Sequence, residues 1–136
     1  MPGWAVIPLE ELPRAAQTDP GAAWYPLQHV FGLTAFGANA FVAESAGDAL
    51  VEAHDERKSG QEELYLVVRG RARFTLDGDT TEAPAVTVVA VREPAVTRSA
   101  VALEPATVLL AFGGVPSGDF SSTWTSQHFE AVPRVL

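Results

Sequence analysis

The chain has 136 residues, 47% hydrophobic and 19% charged, which is the size and composition of one globular domain around a single core. Its 17 acids against 9 bases leave a net charge of −8, which on average repels nucleic-acid backbones and anionic membranes. With no cysteine, disulfides, thiolate metal sites and cysteine nucleophiles are excluded.

The opening MPGWAVIPLEELP has no basic n-region and no long apolar stretch, and no run of about 18 apolar residues occurs anywhere. A cytoplasmic protein is the expectation, with neither nucleic acid nor membrane as partner. Arginine outnumbers the single Lys58 and alanine is abundant, which fits a GC-rich coding sequence and a bacterial source.

Prolines at 2, 8, 13 and 20 rule out long regular structure at the start. Trp4 to Leu9 is expected as a short edge strand, and Leu9 to Gln17 as a helical turn interrupted at Pro13. Leu27 to Glu44 is apolar and aromatic with interior glycines and reads as strand, its Phe31, Phe36 and Phe41 belonging to the core. Asp48 to His54 alternates and is the next strand, with Leu50, Glu52 and His54 on one face.

Glu63 to Arg69 forms a strand that Gly70 breaks. Arg71 to Leu76 then alternates cleanly, with Ala72, Phe74 and Leu76 facing inward. Asp77-Gly78-Asp79 is a hairpin turn. Further strands are expected near Val86 to Val91, Val96 to Ala102 and Thr107 to Phe112. Gly113 to Gly118 reads as a loop, and Phe120 to Val132 as a tail whose Trp124 and Phe129 pack back on the domain. Many short strands separated by turn signals, with no long amphipathic helix, predict an all-β sandwich or barrel.

Chemistry concentrates between Gly47 and Gly70. Period two puts Glu52, His54 and Glu56 on one face if the strand runs that far. After the turn at Ser59-Gly60, Glu63 shares a face with Tyr65 and Val67. An imidazole and two carboxylates on neighbouring strands make a mixed nitrogen and oxygen site suited to Fe(II), Mn(II), Ni(II) or Zn(II). Glu62 has the opposite parity and faces solvent. His29 and His128 lie far from this stretch and read as structural or surface residues. No G-x-S-x-G elbow and no phosphate-binding glycine loop occurs.

The stretch from about Phe41 to Gly113 resembles the cupin superfamily, in particular small single-domain cupins of the conserved-barrel type. The first motif of that family is a glycine, H-x-H, a glutamate and a glycine. Here Gly47, His54-Asp55-Glu56, Glu63 and Gly70 follow in that order, each separated from the next by six residues. The run EELYLVVRGRARFTLDG looks like the strand, glycine and hairpin that follow the ligand glutamate.

Glu56 stands where the family has its second histidine, and the turn before Glu63 is longer than the family spacing. The second motif falls on AVTVVAVREPAVTRSAVALE, where Pro94 matches, Val96 replaces a glycine, and Arg98 or Ser99 takes the place of the last histidine.

The resemblance implies an all-β, cupin-like jelly-roll barrel in a single domain. Residues 1–40 would form an arm and first strands, 41–113 the barrel core, and 114–136 a tail packed on it. It also implies a homodimer and a small-molecule ligand or substrate. His54 and Glu63 are matched ligand positions and Glu56 a substituted one.

Two outcomes stay open. In one, His54, Glu56 and Glu63 hold a divalent metal for an enzyme of dioxygenase or isomerase type. In the other there is no metal, and Arg98 anchors a small acidic or aromatic ligand, or the barrel is purely structural. Tyr65, Phe74, Arg98 and Phe112 are the expected pocket residues in either functional case.

Overall fold

The alternation of Arg71 to Leu76 and the Asp-Gly pair after it set the most regular part of the molecule. In the computed structural model, which describes residues 2–16, 21–118, 120–122 and 126–135, Arg71–Leu76 pairs antiparallel with Asp79–Pro84. Asp77 and Gly78 both take positive φ, 49° and 87°. That conformation matches the twist of a two-residue hairpin, and glycine and aspartate tolerate it.

In chain order the strands are β1 (Ala23–Tyr25), β2 (Gly37–Val42), β3 (Ala49–His54), β4 (Glu62–Arg69), β5 (Arg71–Leu76), β6 (Asp79–Pro84), β7 (Thr87–Val91), β8 (Arg98–Ala102) and β9 (Val108–Gly114). Two four-residue helices, α1 (Leu27–Val30) and α2 (Ser126–Phe129), flank them. A five-stranded sheet runs β1-β2-β9-β4-β7 and a four-stranded sheet runs β3-β8-β5-β6. Among the described residues, neighbouring strands pair antiparallel throughout both sheets. Among the described residues, no helix is long and apolar enough to cross a membrane.

The inner faces of the two sheets enclose the main core, which includes Leu50, Tyr65, Val67, Phe74, Ala100, Ala102, Leu109 and Ala111. Small alanines opposite Tyr65 and Phe74 let two rings 5.6 Å apart fill the space. A second cluster covers the outer side of β1 and β2, where Leu12, Trp24, Tyr25, Val30, Phe129 and Val132 pack together. Phe129 and Val132 thus return the tail to the domain; Trp124 lies outside the described residues.

Three sequence expectations need correction. Trp4 to Pro8 forms no regular element and pairs with no described strand, and a single 3₁₀ turn at Leu9–Glu11 follows it, ending before Pro13. Leu27 to Glu44 is not continuous strand, because Leu27–Val30 turns into α1 after Pro26 and only Gly37–Val42 joins the sheet. Gly113 and Gly114 belong to β9 rather than to a loop.

Gly70 reverses the chain between β4 and β5 at φ +81°, and a Cβ there would lie 2.3 Å from Thr107 Oγ1 and 2.8 Å from Thr107 Cα. Thr107 is fully buried and bonds to both Arg71 and Glu104, so it cannot yield. Gly70→Ala is expected to cost about 2–4 kcal/mol from positive φ and overpacking together. A urea midpoint equal to that of the parent would refute this account of the turn.

Candidate metal centre

His54 ends β3, and irregular pairing with β8 on the way to it breaks the simple alternation. Leu50 and Val51 are both buried, while Glu52 faces solvent. The expectation that Glu52 shares the His54 face is therefore wrong: the bulges rotate it outward. Its backbone carbonyl instead accepts a hydrogen bond from His54 Nδ1 at 2.6 Å.

Glu56 reaches the same place from a turn rather than a strand. The turn is closed by Gly60 N–H donating to the Glu56 carbonyl, and the Glu56 N–H is held by the Pro94 carbonyl at 2.8 Å. Ser59 Oγ donates to Glu56 Oε2.

Glu63, on β4, completes the group. Its Oε1 accepts from Tyr65 Oη at 2.8 Å and from Arg98 Nη1 at 2.5 Å. Arg98 pairs with His54 in the ladder and is fully buried, whereas Ser99 is half-buried on the alternate position. Its remaining donors go to the carbonyls of Val96, Glu93 and Pro94. One guanidinium therefore fixes both Glu63 and the loop whose Pro94 carbonyl holds Glu56.

His54 Nε2 lies 3.1 Å from Glu56 Oε1 and 3.7 Å from Glu63 Oε1. Ligand atoms of all three residues fall within 4.8 Å of one another. Metal–ligand bonds of about 2.0–2.2 Å put neighbouring ligand atoms roughly 3.0–3.5 Å apart, so the 3.1 Å spacing matches one edge of a coordination polyhedron and the wider ones would have to close on an ion. The group could hold a metal ion. The His54 side chain is 37% exposed against 13% for each glutamate, so the centre opens to solvent past the imidazole.

Titration follows from the contacts. Hydrogen bonds to Glu56 and then Glu63 overcome partial burial and, with the Glu52 carbonyl, raise His54 to about 10. Burial pushes Glu63 upward, but hydrogen bonds from His54, Tyr65 and Arg98 outweigh it and hold the carboxyl below its ordinary value. Burial and the Glu63 charge drive the Tyr65 hydroxyl well above its usual range.

No protein-family model matches the sequence, and no curated protein matches it significantly. Solved structures do match it. A sugar phosphate isomerase from a cupin superfamily of Silicibacter pomeroyi superposes with a TM-score of 0.63 at 19% identity, over 82% of this chain and 77% of that one. A Cupin 2 conserved barrel domain protein from Salinispora arenicola gives 0.62 at 16% identity, over 85% and 92%. KdgF from a Halomonas species gives 0.60 at 17%, over 73% and 83%.

The chain has the cupin fold.

Within this cupin barrel the expected pocket residues divide. Tyr65, Phe74 and Arg98 do face the interior, but they are only 1%, 0% and 0% exposed, so they present no surface to an incoming molecule. Tyr65 and Arg98 orient Glu63, and Phe74 packs on Tyr65. Phe112 pairs with Leu64 and lies on the opposite face of the sheet from Glu63, because Gly113 is the residue opposite Glu63. It cannot line the site.

His29 is structural: its Nε2 meets the Val132 carbonyl and its ring stacks on Phe129. The sequence reading overlooked Gln61, which is 7% exposed beside Glu63. A Cβ at Gly113 would lie 2.5 Å from Gln61 Oε1 and 3.5 Å from Glu63 Cγ. Gly113 opposite Glu63 in the ladder leaves the room Gln61 occupies, a register that the sequence does not display.

Proposed function

We propose that this cupin binds a divalent metal ion through His54 Nε2, Glu56 and Glu63, and acts at that centre on a small oxygen-bearing organic molecule as an isomerase- or dioxygenase-type enzyme. One observation carries the reading. The Glu52 carbonyl accepts the Nδ1 proton of His54, so Nε2 is directed at the same spot as two carboxylate oxygens and can take a metal in place of the proton it holds toward Glu56. Three electron-rich atoms converging this closely need a cation between them. A histidine oriented by a backbone carbonyl through its other nitrogen is the usual arrangement of a metal ligand.

A bound metal would supply Lewis-acid polarisation of a substrate oxygen. The protein groups do the rest. Tyr65 and Arg98 keep Glu63 from swinging, Ser59 and the Pro94 carbonyl keep Glu56 in place, and the exposed edge of His54 leaves the approach open. The isomerase direction is supported by the name of the Silicibacter pomeroyi neighbour, and the fold alone is compatible with either chemistry.

A second reading takes the cation to be a proton. Arg98 already neutralises Glu63, and His54 as imidazolium balances Glu56, so the four groups sum to zero charge without metal. The barrel would then be a metal-free binding or structural module.

Elemental analysis of protein purified without chelator or metal-affinity resin separates the two. The metal reading expects about one iron, manganese, nickel or zinc per chain, lost in His54→Ala. Under about a tenth of a metal per chain, even after incubation with each ion, would leave the proton reading standing.

A further inference from the structure

Gln61 is enclosed at the edge of the metal centre with an amide that the chain does not use. Glu63, Tyr65 and Val67 share the inner face of β4, and Gln61, just before the strand, continues that row toward the barrel mouth. It is 7% exposed. Its backbone N–H donates to Ser59 Oγ, the hydroxyl that also holds Glu56. Its carboxamide has no hydrogen-bond partner among the described residues. No sealed side-chain nitrogen or oxygen among those residues lacks a partner, so the amide keeps contact with the open mouth.

The sheet makes room for this group. Gly113 faces Glu63 in the ladder, and Gly37 faces Gly113 on the next strand. Directly opposed residues project to the same side, so the two glycines leave a shelf beside the Glu63 side chain. Gln61 lies over the first: a Cβ at Gly113 would stand 2.5 Å from Gln61 Oε1 and 3.5 Å from Glu63 Cγ, which sets the amide against the Glu63 stem. The Phe120 ring covers the second, 2.8 Å from the place of a Cβ on Gly37. Across the mouth the order is therefore carboxylate, amide, aromatic ring.

Charge decides what a ligand presents to the amide. Arg98 is the cation built into the centre, and it is fully buried with its donors spent on Glu63 and on the carbonyls of Val96, Glu93 and Pro94. Gln61 is neutral and can both donate and accept. That suits a hydroxyl, whereas a phosphate or carboxylate placed there would lack a countercharge. An enclosed amide with no partner in the chain gains more from such a ligand than it gives to the fold.

We propose that Gln61 is a specificity-determining residue of the centre: its carboxamide binds an uncharged hydroxyl of the substrate, beside the oxygen held by the metal, and selects small hydroxycarbonyl compounds over their phosphate esters. The inference rests on the metal reading above and adds the chemistry of the second contact.

The test is titration of the Mn(II)-loaded full chain with dihydroxyacetone, hydroxyacetone and dihydroxyacetone phosphate, followed by water-proton relaxation. The first two differ by one hydroxyl, and the first and third by one phosphate. The parent should bind dihydroxyacetone about tenfold more tightly than hydroxyacetone, the upper end of what one neutral hydrogen bond contributes. It should bind the phosphate ester no better than hydroxyacetone. Gln61→Met keeps the bulk over Gly113 but has no amide, so it should lose the tenfold preference and retain the Mn(II) affinity of the parent. Gly113→Ala should act alike by displacing the amide, and its methyl meets the end of a flexible side chain, so the fold should hold. Four results would overturn the inference and leave the metal centre standing: no binding of either ketone or equal affinity for both in the parent, a preference that survives either variant, tightest binding by the phosphate ester, or loss of Mn(II) by Gln61→Met. A parent that takes up no Mn(II) would overturn the proposed centre and the inference with it.

Discussion

Arg98→Met is expected to destabilise the fold by about 3–5 kcal/mol, the cost of removing one partner from a buried ion pair. At this chain length that lowers the melting temperature by about 10 °C or more. The size comes from what the guanidinium does. It is fully buried, its Nη1 bonds Glu63 Oε1 at 2.5 Å, and Nε and Nη2 bond the Val96 carbonyl at 3.0 and 2.8 Å. Removing it leaves a carboxylate that is 13% exposed with only Tyr65 and His54 to oppose its charge, and it frees the loop from Glu93 to Val96.

Arg98→Lys should recover little, because one ammonium cannot reach Glu63 and the loop carbonyls together. The double variant Arg98→Met/Glu63→Gln should be more stable than Arg98→Met alone, since the stranded charge is gone. Urea unfolding followed by circular dichroism reads all three. A loss below about 1 kcal/mol for Arg98→Met would show that the pair contributes no more than a surface salt bridge.

The same residue shows where the sequence was legible and where it was not. Arg71 to Leu76 could be read directly, because alternation, an Asp-Gly turn and a preceding glycine all point to one hairpin. His54 and Glu63 stood out through spacing to glycines that take positive φ, Gly47 and Gly70. Arg98 could not be separated from Ser99, since parity along β8 means nothing until its register with β3 is known. Glu52 was misplaced for a related reason: irregular pairing on β3 defeats period-two counting.

The arm and α1 failed differently. Trp4 to Leu9 has the composition and the alternation of a strand, and what it lacks is a ladder partner, which no local pattern records. Leu27–Val30 is too short for helical periodicity to show, and its apolar residues suit either state. Phe112 was assigned to the pocket on residue type alone, and Gly113 opposite Glu63 in the ladder places it on the far face.

The second large effect is on metal affinity. Between about pH 7 and pH 9 the apparent affinity for Mn(II) or Ni(II) is expected to rise about tenfold per pH unit, a hundredfold in all. Without metal, hydrogen bonds to Glu56 and Glu63 hold a proton on His54 Nε2 until the pH approaches about 10. Binding must expel that proton, so below pH 10 each unit of pH removes a tenfold competition. Glu63 is held below its ordinary value and is already ionised throughout this range, so it adds no slope. A histidine of ordinary pKa, about 6.5, would give the slope only below neutrality and a plateau above it. The persistence of the slope past pH 7 is therefore specific to this geometry. Calorimetry in two buffers of different ionisation enthalpy should show one proton released per metal at pH 7.5, and His54→Gln should bind weakly with no slope. A flat affinity above pH 7 in the parent chain would mean that the proton on Nε2 is not what the metal displaces, and His54 would have to be removed from the ligand set.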